Sequence, residues 1–325
     1  MNSKQCNAVG RLLAILLCVW TWQAQAFDLQ AHRGGRGLMP ENTLAAFEHA
    51  LRLGVTTLEL DIAITADGVP VISHDPALNP AITRDADGQW LTQVGPRINS
   101  LTLAQLQRYQ LGRLDPASPY GRQFAGQAVR DGQRMPTLAS LFKLVKELGA
   151  DSVEFDIETK LFPNRPELTV EPAVFVQALL AVIREAGMLP RVMIQSFDWR
   201  TLQLVQRIEP TVRTVYLTAQ SRSFNNLADG SWTAGLLLKD HASVPHLVKA
   251  AGGAIWAPNF NNLSAPELRQ AQQLGLKVIP WTVNEPDDMD RLIGWGVDGL
   301  ISDYPDRLRA RLQARGVALP KGVDR

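Results

Sequence analysis

The chain has 325 residues, with 33 Lys and Arg against 32 Asp and Glu, for a formal net charge of +1. That balance excludes the basic footprint expected of a nucleic-acid partner, and any general attraction for acidic substrates, so recognition of an anion has to be local. Both cysteines, Cys6 and Cys18, precede Ala26, so the large core that a chain of this length can bury is left without a disulfide.

The first residues read as a targeting segment. Lys4 and Arg11 supply positive charge, Leu12–Trp20 form a short apolar run, and Ala24-Gln25-Ala26 is a small-x-small cleavage pattern. Together they describe a secretory signal peptide, residues 1–26, cleaved after Ala26. The apolar run is about half of the roughly 20 residues needed to span a bilayer. Leu17 before Cys18 argues against a lipid-attachment cysteine. The expectation is an exported, most simply periplasmic, protein with no stable membrane insertion. Loss of Lys4 and Arg11 leaves residues 27–325 with a net charge of −1.

From there, short apolar strands alternate with helical patterns, which points to an α/β fold. A strand is predicted over Leu29–Arg33. Asn42-Thr43 then open a helix whose Leu44, Phe47, Ala50 and Leu51 follow the spacing of one buried face, and Gly54 ends it. Strands Thr57–Ala63 and Pro70–His74 are linked by Thr65-Ala66-Asp67-Gly68, a turn with no helix. Residues 75–135 break the rhythm, with Asp-Gly and Pro-rich turns and helical character only over Thr102–Leu111. They read as a small insertion above the strand ends, either a substrate lid or a surface decoration. Strand Ser152–Glu158, helix Thr169–Glu185 and strands Arg191–Phe197, Val212–Leu217 and Gly253–Pro258 follow. Helix Ser264–Leu274 begins with a serine cap and Glu267 three residues on. Strands Lys277–Val283 and Gly299–Ser302 close the series. The pattern fits one (β/α)8 TIM barrel over residues 27–325, with one strand of the nine as an extra or with one regular crossover missing. A doubly wound sheet is the alternative, but Gly34, Gly35 and Gly37 lack the dinucleotide-binding spacing.

Chemistry-bearing residues cluster at the predicted strand ends. Glu59 and Asp61 alternate in one apolar strand and so share a face. Adjacent carboxylates are costly unless something positive joins them. A divalent cation with oxygen ligands would do so, and ion pairs with arginines are the alternative. In Glu154-Phe155-Asp156-Ile157-Glu158-Thr159-Lys160, four charged residues would share a face; Glu158 is the best third ligand and Lys160 can meet a phosphate. Glu154 or Asp156 is left for polar partners lower in the barrel.

His32 and His74 each end a strand and can exchange protons near neutral pH or ligate a metal. His49 lies within a helix pattern, and His241 and His246 precede or enter another, so these three carry little functional weight. Arg33 with Gly34-Gly35 could hold phosphate oxygens, and Trp281 offers a flat wall for a substrate alcohol or simply fills core.

Taken in order, these motifs resemble the glycerophosphodiester phosphodiesterase family. The resemblance runs from His32-Arg33-Gly34 through Pro40-Glu41-Asn42-Thr43, Glu59-Leu60-Asp61, Thr65, Asp67-Gly68 and Pro70 to His74-Asp75. It continues through Pro136-Thr137-Leu138, Glu158-Thr159-Lys160, Gln195-Ser196-Phe197-Asp198, Trp281-Thr282-Val283-Asn284 and Asp298-Gly299 to Asp303. Thr159 stands where an apolar residue is common and Ser302 where threonine is usual; neither removes a needed group. The resemblance implies a TIM barrel with an insertion after the His-Asp segment. It implies one divalent cation, Ca2+ or Mg2+, on Glu59, Asp61 and Glu158, with His32 and His74 as acid and base. Arg33 and Lys160 would contact phosphate, and Glu41 would orient His32 or Arg33. The implied reaction is metal-dependent hydrolysis of a glycerophosphodiester to sn-glycerol-3-phosphate and an alcohol. The competing expectations are a phospholipase C- or D-like enzyme on intact lipids and an exported, noncatalytic phosphodiester-binding protein. Oligomeric state has no signature in the sequence.

Overall fold

Eight positions in a row over Thr57–Ile64 are buried, as in a strand covered on both faces. This is β2 of a computed structural model that describes residues 27–324; the expected signal peptide, residues 1–26, lies outside the described residues. In chain order the elements are β1 (Asp28–Ala31), α1 (Leu44–Leu53), β2 (Thr57–Ile64), β3 (Pro70–Ile72), α2 (Leu103–Leu106), α3 (Pro119–Gln123), α4 (Leu138–Glu147), β4 (Glu154–Thr159) and α5 (Pro172–Glu185). There follow β5 (Val192–Ser196), α6 (Trp199–Ile208), β6 (Arg213–Thr218), α7 (Val244–Ala250), β7 (Ile255–Pro258), α8 (Ala265–Gln273), β8 (Lys277–Val278), α9 (Pro286–Trp295), β9 (Gly299–Ser302) and α10 (Pro305–Ala314).

The sheet runs β8-β7-β6-β5-β4-β2-β1-β9, with every neighbouring pair parallel. Single bonds join its two ends, from Asp298 N to Val278 O (3.0 Å), Ile301 N to Pro280 O (3.0 Å) and Val283 N to Ile301 O (2.9 Å). The result is a nearly closed (β/α)8 barrel. The supernumerary strand is β3, which pairs antiparallel with β2 through Ile62 and Ile72.

The helices close on the barrel because their apolar stripes face it. In α1, Thr43 caps Ala46 N, Gly54 terminates the helix in the left-handed conformation, and Ala46, Phe47, Ala50 and Leu51 are buried. Each large apolar side chain so buried contributes about 1.5–3 kcal/mol. Inside the barrel the lining is uneven. Met193, Val215, Leu217, Ile255, Ala257, Ile279 and Ile301 form an apolar arc. The facing arc, from β1, β2 and β4, carries Gln30, Thr57, Glu59, Asp61, Asp156 and Glu158, all buried.

Several predicted elements are shorter in the structure. The first strand stops at Ala31, because His32–Gly34 turn with Arg33 at a φ of 52°. Only Lys277–Val278 of the predicted Lys277–Val283 is strand, since Pro280 has no N–H to donate to a ladder; Trp281 retains a single bridge to Asn259. The helical stretch after Thr102 spans one turn, α2. The predicted Thr169–Glu185 helix starts at Pro172. Together with the turn before it, this helix gives a run, Pro166–Glu185, apolar and long enough to cross a bilayer. Sequence reading placed no such run after the N-terminus. Its Phe175, Val176, Leu179, Leu180 and Ile183 are buried in the helix-to-barrel core.

Candidate active site

The carboxyl ends of β1, β2 and β4 bring the charged residues to one place. The pairing of β2 with β4 sets Glu59 beside Asp156 and Asp61 beside Glu158. Alternation then turns Glu59, Asp61 and Glu158 inward, with ligand oxygens all within 4.8 Å of one another. All three are buried. Burial and the neighbouring Asp61 push Glu59 well above the usual carboxylate range. Burial, partly offset by Lys160, pushes Glu158 up to about 7. Burial also opposes ionisation of Asp61, but Lys160, His74 and Arg33 outweigh it and hold its pKa low. Such a cluster carries repulsion that a hard cation would relieve. Asp61 Oδ1 accepts no hydrogen bond. The three oxygens therefore suit a divalent cation.

Positive groups surround the cluster. Lys160 Nζ lies 2.8 Å from Glu158 Oε1 and 3.5 Å from Asp61 Oδ1. Arg33 Nε lies 3.4 Å from Asp61 Oδ2. Its backbone N–H donates to Glu59 Oε2 (2.7 Å), while its Nη1 donates to Glu41 Oε1 (2.8 Å). Arg33 makes both contacts because it adopts the left-handed conformation, uncommon for a side chain of its size. Gly34, at a φ of 79°, completes the turn; a Cβ there would lie 2.9 Å from Ala46 Cβ. Glu41 thus orients Arg33; it makes no bond to His32.

His32 is held by a residue that sequence reading left without a role. Its Nδ1 lies 2.5 Å from Asp303 Oδ1, and its Nε2 lies 4.0 Å from Glu59 Oε2. Burial first, and then Arg36, lower the His32 pKa to about 4. His74 Nδ1 is paired with Asp75 Oδ1 at 2.8 Å, and Asp75 is fixed by Asn79 Nδ2 at 2.7 Å. Burial, with Arg33 and Lys160, lowers the His74 pKa as well. Each ring thereby keeps Nε2 free of a protein hydrogen bond, although His74 is the more exposed of the two.

His32, Arg33, Glu59, His74, Glu158, Lys160 and Trp281 line one cavity of about 110 Å³. The predicted residues therefore converge. Trp281 forms part of the wall and donates from Nε1 to Ala257 O at 2.9 Å. It also begins a run of edge-to-face rings, Trp281–Phe197–Phe224–Trp232–Phe162, with neighbouring centroids 5.1–6.3 Å apart.

Sequence reasoning missed Asp303, Arg36, Gln195, Asn42 and Asn284 as site residues. Gln195 Nε2 donates to Glu59 Oε1 (2.7 Å), Asn42 Nδ2 to Asp61 Oδ2 (3.0 Å) and Asn284 Nδ2 to Asp303 Oδ2 (2.7 Å). For Gln195 and Asp303, a place at or just beyond a strand end was the available signal. Lower in the barrel, Glu154 pairs with Arg213 at 2.9 Å, whereas both Asp156 oxygens lack a hydrogen bond. Burial, reinforced by Asp28, pushes the Asp156 pKa well up, which favours the neutral acid.

Comparison with known proteins places this chain among phosphodiesterases. The model of the Glycerophosphoryl diester phosphodiesterase family matches residues 32–307. A glycerophosphodiester phosphodiesterase of Caldanaerobacter subterraneus is 29% identical over 283 residues, covering 86% of this chain and 94% of the relative. Human lysophospholipase D GDPD1 is 26% identical, with 86% and 84% covered. A crystal structure of a putative glycerophosphoryl diester phosphodiesterase from Silicibacter pomeroyi superimposes with a TM-score of 0.81 at 37% identity, covering 91% of this chain and 96% of that one. A phosphodiesterase from Oleispira antarctica, in complex with the product sn-glycerol-3-phosphate, shares the fold with a TM-score of 0.65 at 21% identity; 89% and 97% of the chains are covered.

Proposed function

The chain belongs to the glycerophosphoryl diester phosphodiesterase family and is an enzyme, and on that premise we propose that it hydrolyses glycerophosphodiesters to sn-glycerol-3-phosphate and an alcohol by metal-dependent histidine acid–base catalysis. The observation that carries the mechanism is the convergence of His32, His74, Arg33, Lys160 and the Glu59–Asp61–Glu158 cluster on one cavity.

Arg33 and Lys160 hold the nonbridging phosphoryl oxygens through charge-assisted hydrogen bonds. Glu59, Asp61 and Glu158 would hold a divalent cation, which when bound would supply Lewis-acid stabilisation of charge on those oxygens. His32 is the base: Asp303 occupies Nδ1, burial holds the ring neutral, and the Nε2 lone pair is free. It accepts the proton of the neighbouring glycerol hydroxyl as that oxygen bonds to phosphorus. The bond from phosphorus to the alcohol breaks, and His74, entering this step as the imidazolium protonated at Nε2, delivers that proton to the departing oxygen. Water then opens the cyclic phosphate with the two roles exchanged. The internal hydroxyl has the advantage of proximity.

The aromatic rings beyond Trp281 support a second reading, in which the departing or retained portion is apolar, as in a lysophospholipid. They come from loops after β4, β5, β6 and β8, and not from residues 75–135. Residues 75–135 are taken as an insertion in one barrel domain. Export is part of the proposal, on the strength of the pattern in residues 1–26, and N-terminal sequencing of protein from the cell envelope tests it.

The test of function is hydrolysis of glycerophosphocholine by residues 27–325, followed as glycerol-3-phosphate release after chelation and then with calcium or magnesium restored. Metal-dependent release is expected. Release only from micellar lysophosphatidylcholine would favour the lipid reading, and none from either substrate by folded protein would overturn both.

A further inference from the structure

Residues 115–128 dock on the loop that carries the two active-site arginines. Ala128 N donates to Leu38 O at 2.9 Å and Gln127 Nε2 to Arg36 O at 2.7 Å. Phe124 is buried, and the Arg36 guanidinium lies over the Phe124 and Tyr120 rings at 5.1 and 5.9 Å. The docking unit is itself well defined: Ser118 caps α3 by accepting from Gly121 N at 2.8 Å, and Pro119 opens the helix.

Tyr120, at the start of α3, reaches into the charged network. Its hydroxyl donates to Glu41 Oε2 and accepts from Arg36 Nη1 at 3.2 Å. Glu41 holds Arg33 through its other oxygen. Arg36 Nε donates at 2.7 Å to Asp303 Oδ1, the same oxygen that faces His32 Nδ1. One hydroxyl thus joins two chains of contact, one ending at Arg33 and the other at His32. We propose that Tyr120 is a positioning residue that fixes Arg33 and His32 relative to each other, through Glu41 on one side and Arg36–Asp303 on the other. The proposal rests on the reading that Arg33 holds the phosphate and His32 moves the proton.

The physical reason is competition. Glu41 Oε2 is an anionic acceptor within reach of the hydroxyl that Arg36 also contacts. With the hydroxyl present, its proton satisfies Glu41 while its lone pair satisfies Arg36. Without it, Glu41 is left short of a donor and draws Arg36 Nη1 towards itself, away from Asp303. His32 then loses the fixed partner of its Nδ1, and a small misplacement of a proton-transfer group is costly.

The test compares full-length wild type with Tyr120→Phe and, as a control in the same segment, Tyr109→Phe. Phenylalanine retains the ring against Phe124 and under Arg36 and removes only the hydroxyl. Two quantities are read: kcat and KM for glycerophosphocholine, and the low-field proton resonance of the His32 Nδ1–H hydrogen bond. In Tyr120→Phe, kcat is expected to fall roughly 10–100-fold with KM within about threefold, unfolding temperature unchanged and the resonance broadened or lost. Tyr109→Phe should match wild type in both. A Tyr120→Phe variant with kcat within twofold of wild type, or with an unaltered resonance, overturns the proposal. If wild type releases no glycerol-3-phosphate, the functional reading fails by itself, and the resonance alone still decides whether Tyr120 positions His32.

Discussion

His32 Nδ1 and Asp303 Oδ1 meet at 2.5 Å across 271 positions of sequence, and this contact decides which nitrogen of the ring faces the cavity. Burial disfavours an ionised Asp303, but His32 and Arg36 outweigh it and hold the carboxyl well below its usual range. An anionic acceptor at Nδ1 selects the tautomer with its proton there and stabilises the imidazolium that forms in the reaction. Asp303→Asn should preserve the fold and lower kcat by about 10²–10⁴, the scale of general acid–base catalysis. Steady-state rates on the purified variant check this, and an unchanged kcat would remove Asp303 from the mechanism.

The histidines themselves should behave alike. His32→Ala and His74→Ala are each expected to lose about 10²–10⁴ in kcat while the circular dichroism spectrum and cooperative unfolding persist. Full activity in either purified variant would sink the acid–base assignment.

Glu59 has no spare role in the barrel, since its two oxygens already accept from Arg33 N and Gln195 Nε2 and still point into the carboxylate cluster. Glu59→Gln should weaken calcium or magnesium binding by at least about tenfold, the lower end of what losing an outer-sphere partner costs. Calorimetric titration is the measurement, and unchanged affinity counts against this ligand set.

Metal binding should also depend on pH with a definite sign. Glu158 is held up to about 7 by burial, against the pull of Lys160. Below that pH the ligand carries a proton that a cation must displace. Affinity should therefore rise as pH increases through about 7, with proton release visible as a buffer-dependent heat. Equal affinities at pH 6 and pH 8 would contradict the shared-carboxylate arrangement.

His32 makes a stability prediction of its own. Its pKa falls from 6.5 to about 4 in the fold, through burial and Arg36. Between those values the unfolded chain binds the proton and the native state does not, so stability increases with pH in that window. The contribution is intact above about pH 6.5, declines as pH falls, and is lost through about 4. At one pKa unit per 1.36 kcal/mol it amounts to at most about 3 kcal/mol. Denaturant titrations across this range should show a shallower acid decline in His32→Asn than in wild type; parallel curves would deny the shift.

The parts of the site legible in sequence were those with local causes. Glu59 and Asp61 share a face because strands alternate, and His32, His74, Glu158 and Lys160 lie where apolar runs end. The contacts among them were not legible, because they are made by the barrel as it closes. Arg36 finds Asp303 across 267 positions and Tyr120 finds Glu41 across 79, and no periodicity encodes either pairing. Strand length failed for the same kind of reason. Lys277–Val283 has the composition of a strand, yet Pro280 interrupts its ladder, and Arg33 leaves extended geometry to reach Glu41 and Glu59 together. The nine candidates for eight places resolved once β3 was found reversed against β2, an orientation set by the short Asp67-Gly68 turn.

Phe27 and Pro320 line the same cavity of about 530 Å³ at the base of the barrel, below the starts of the strands, and Val323 N donates to Leu51 O nearby. Both ends of the described chain thus leave from the face opposite His32 and His74. An enzyme grafted to a support through its last residues would present its mouth outward.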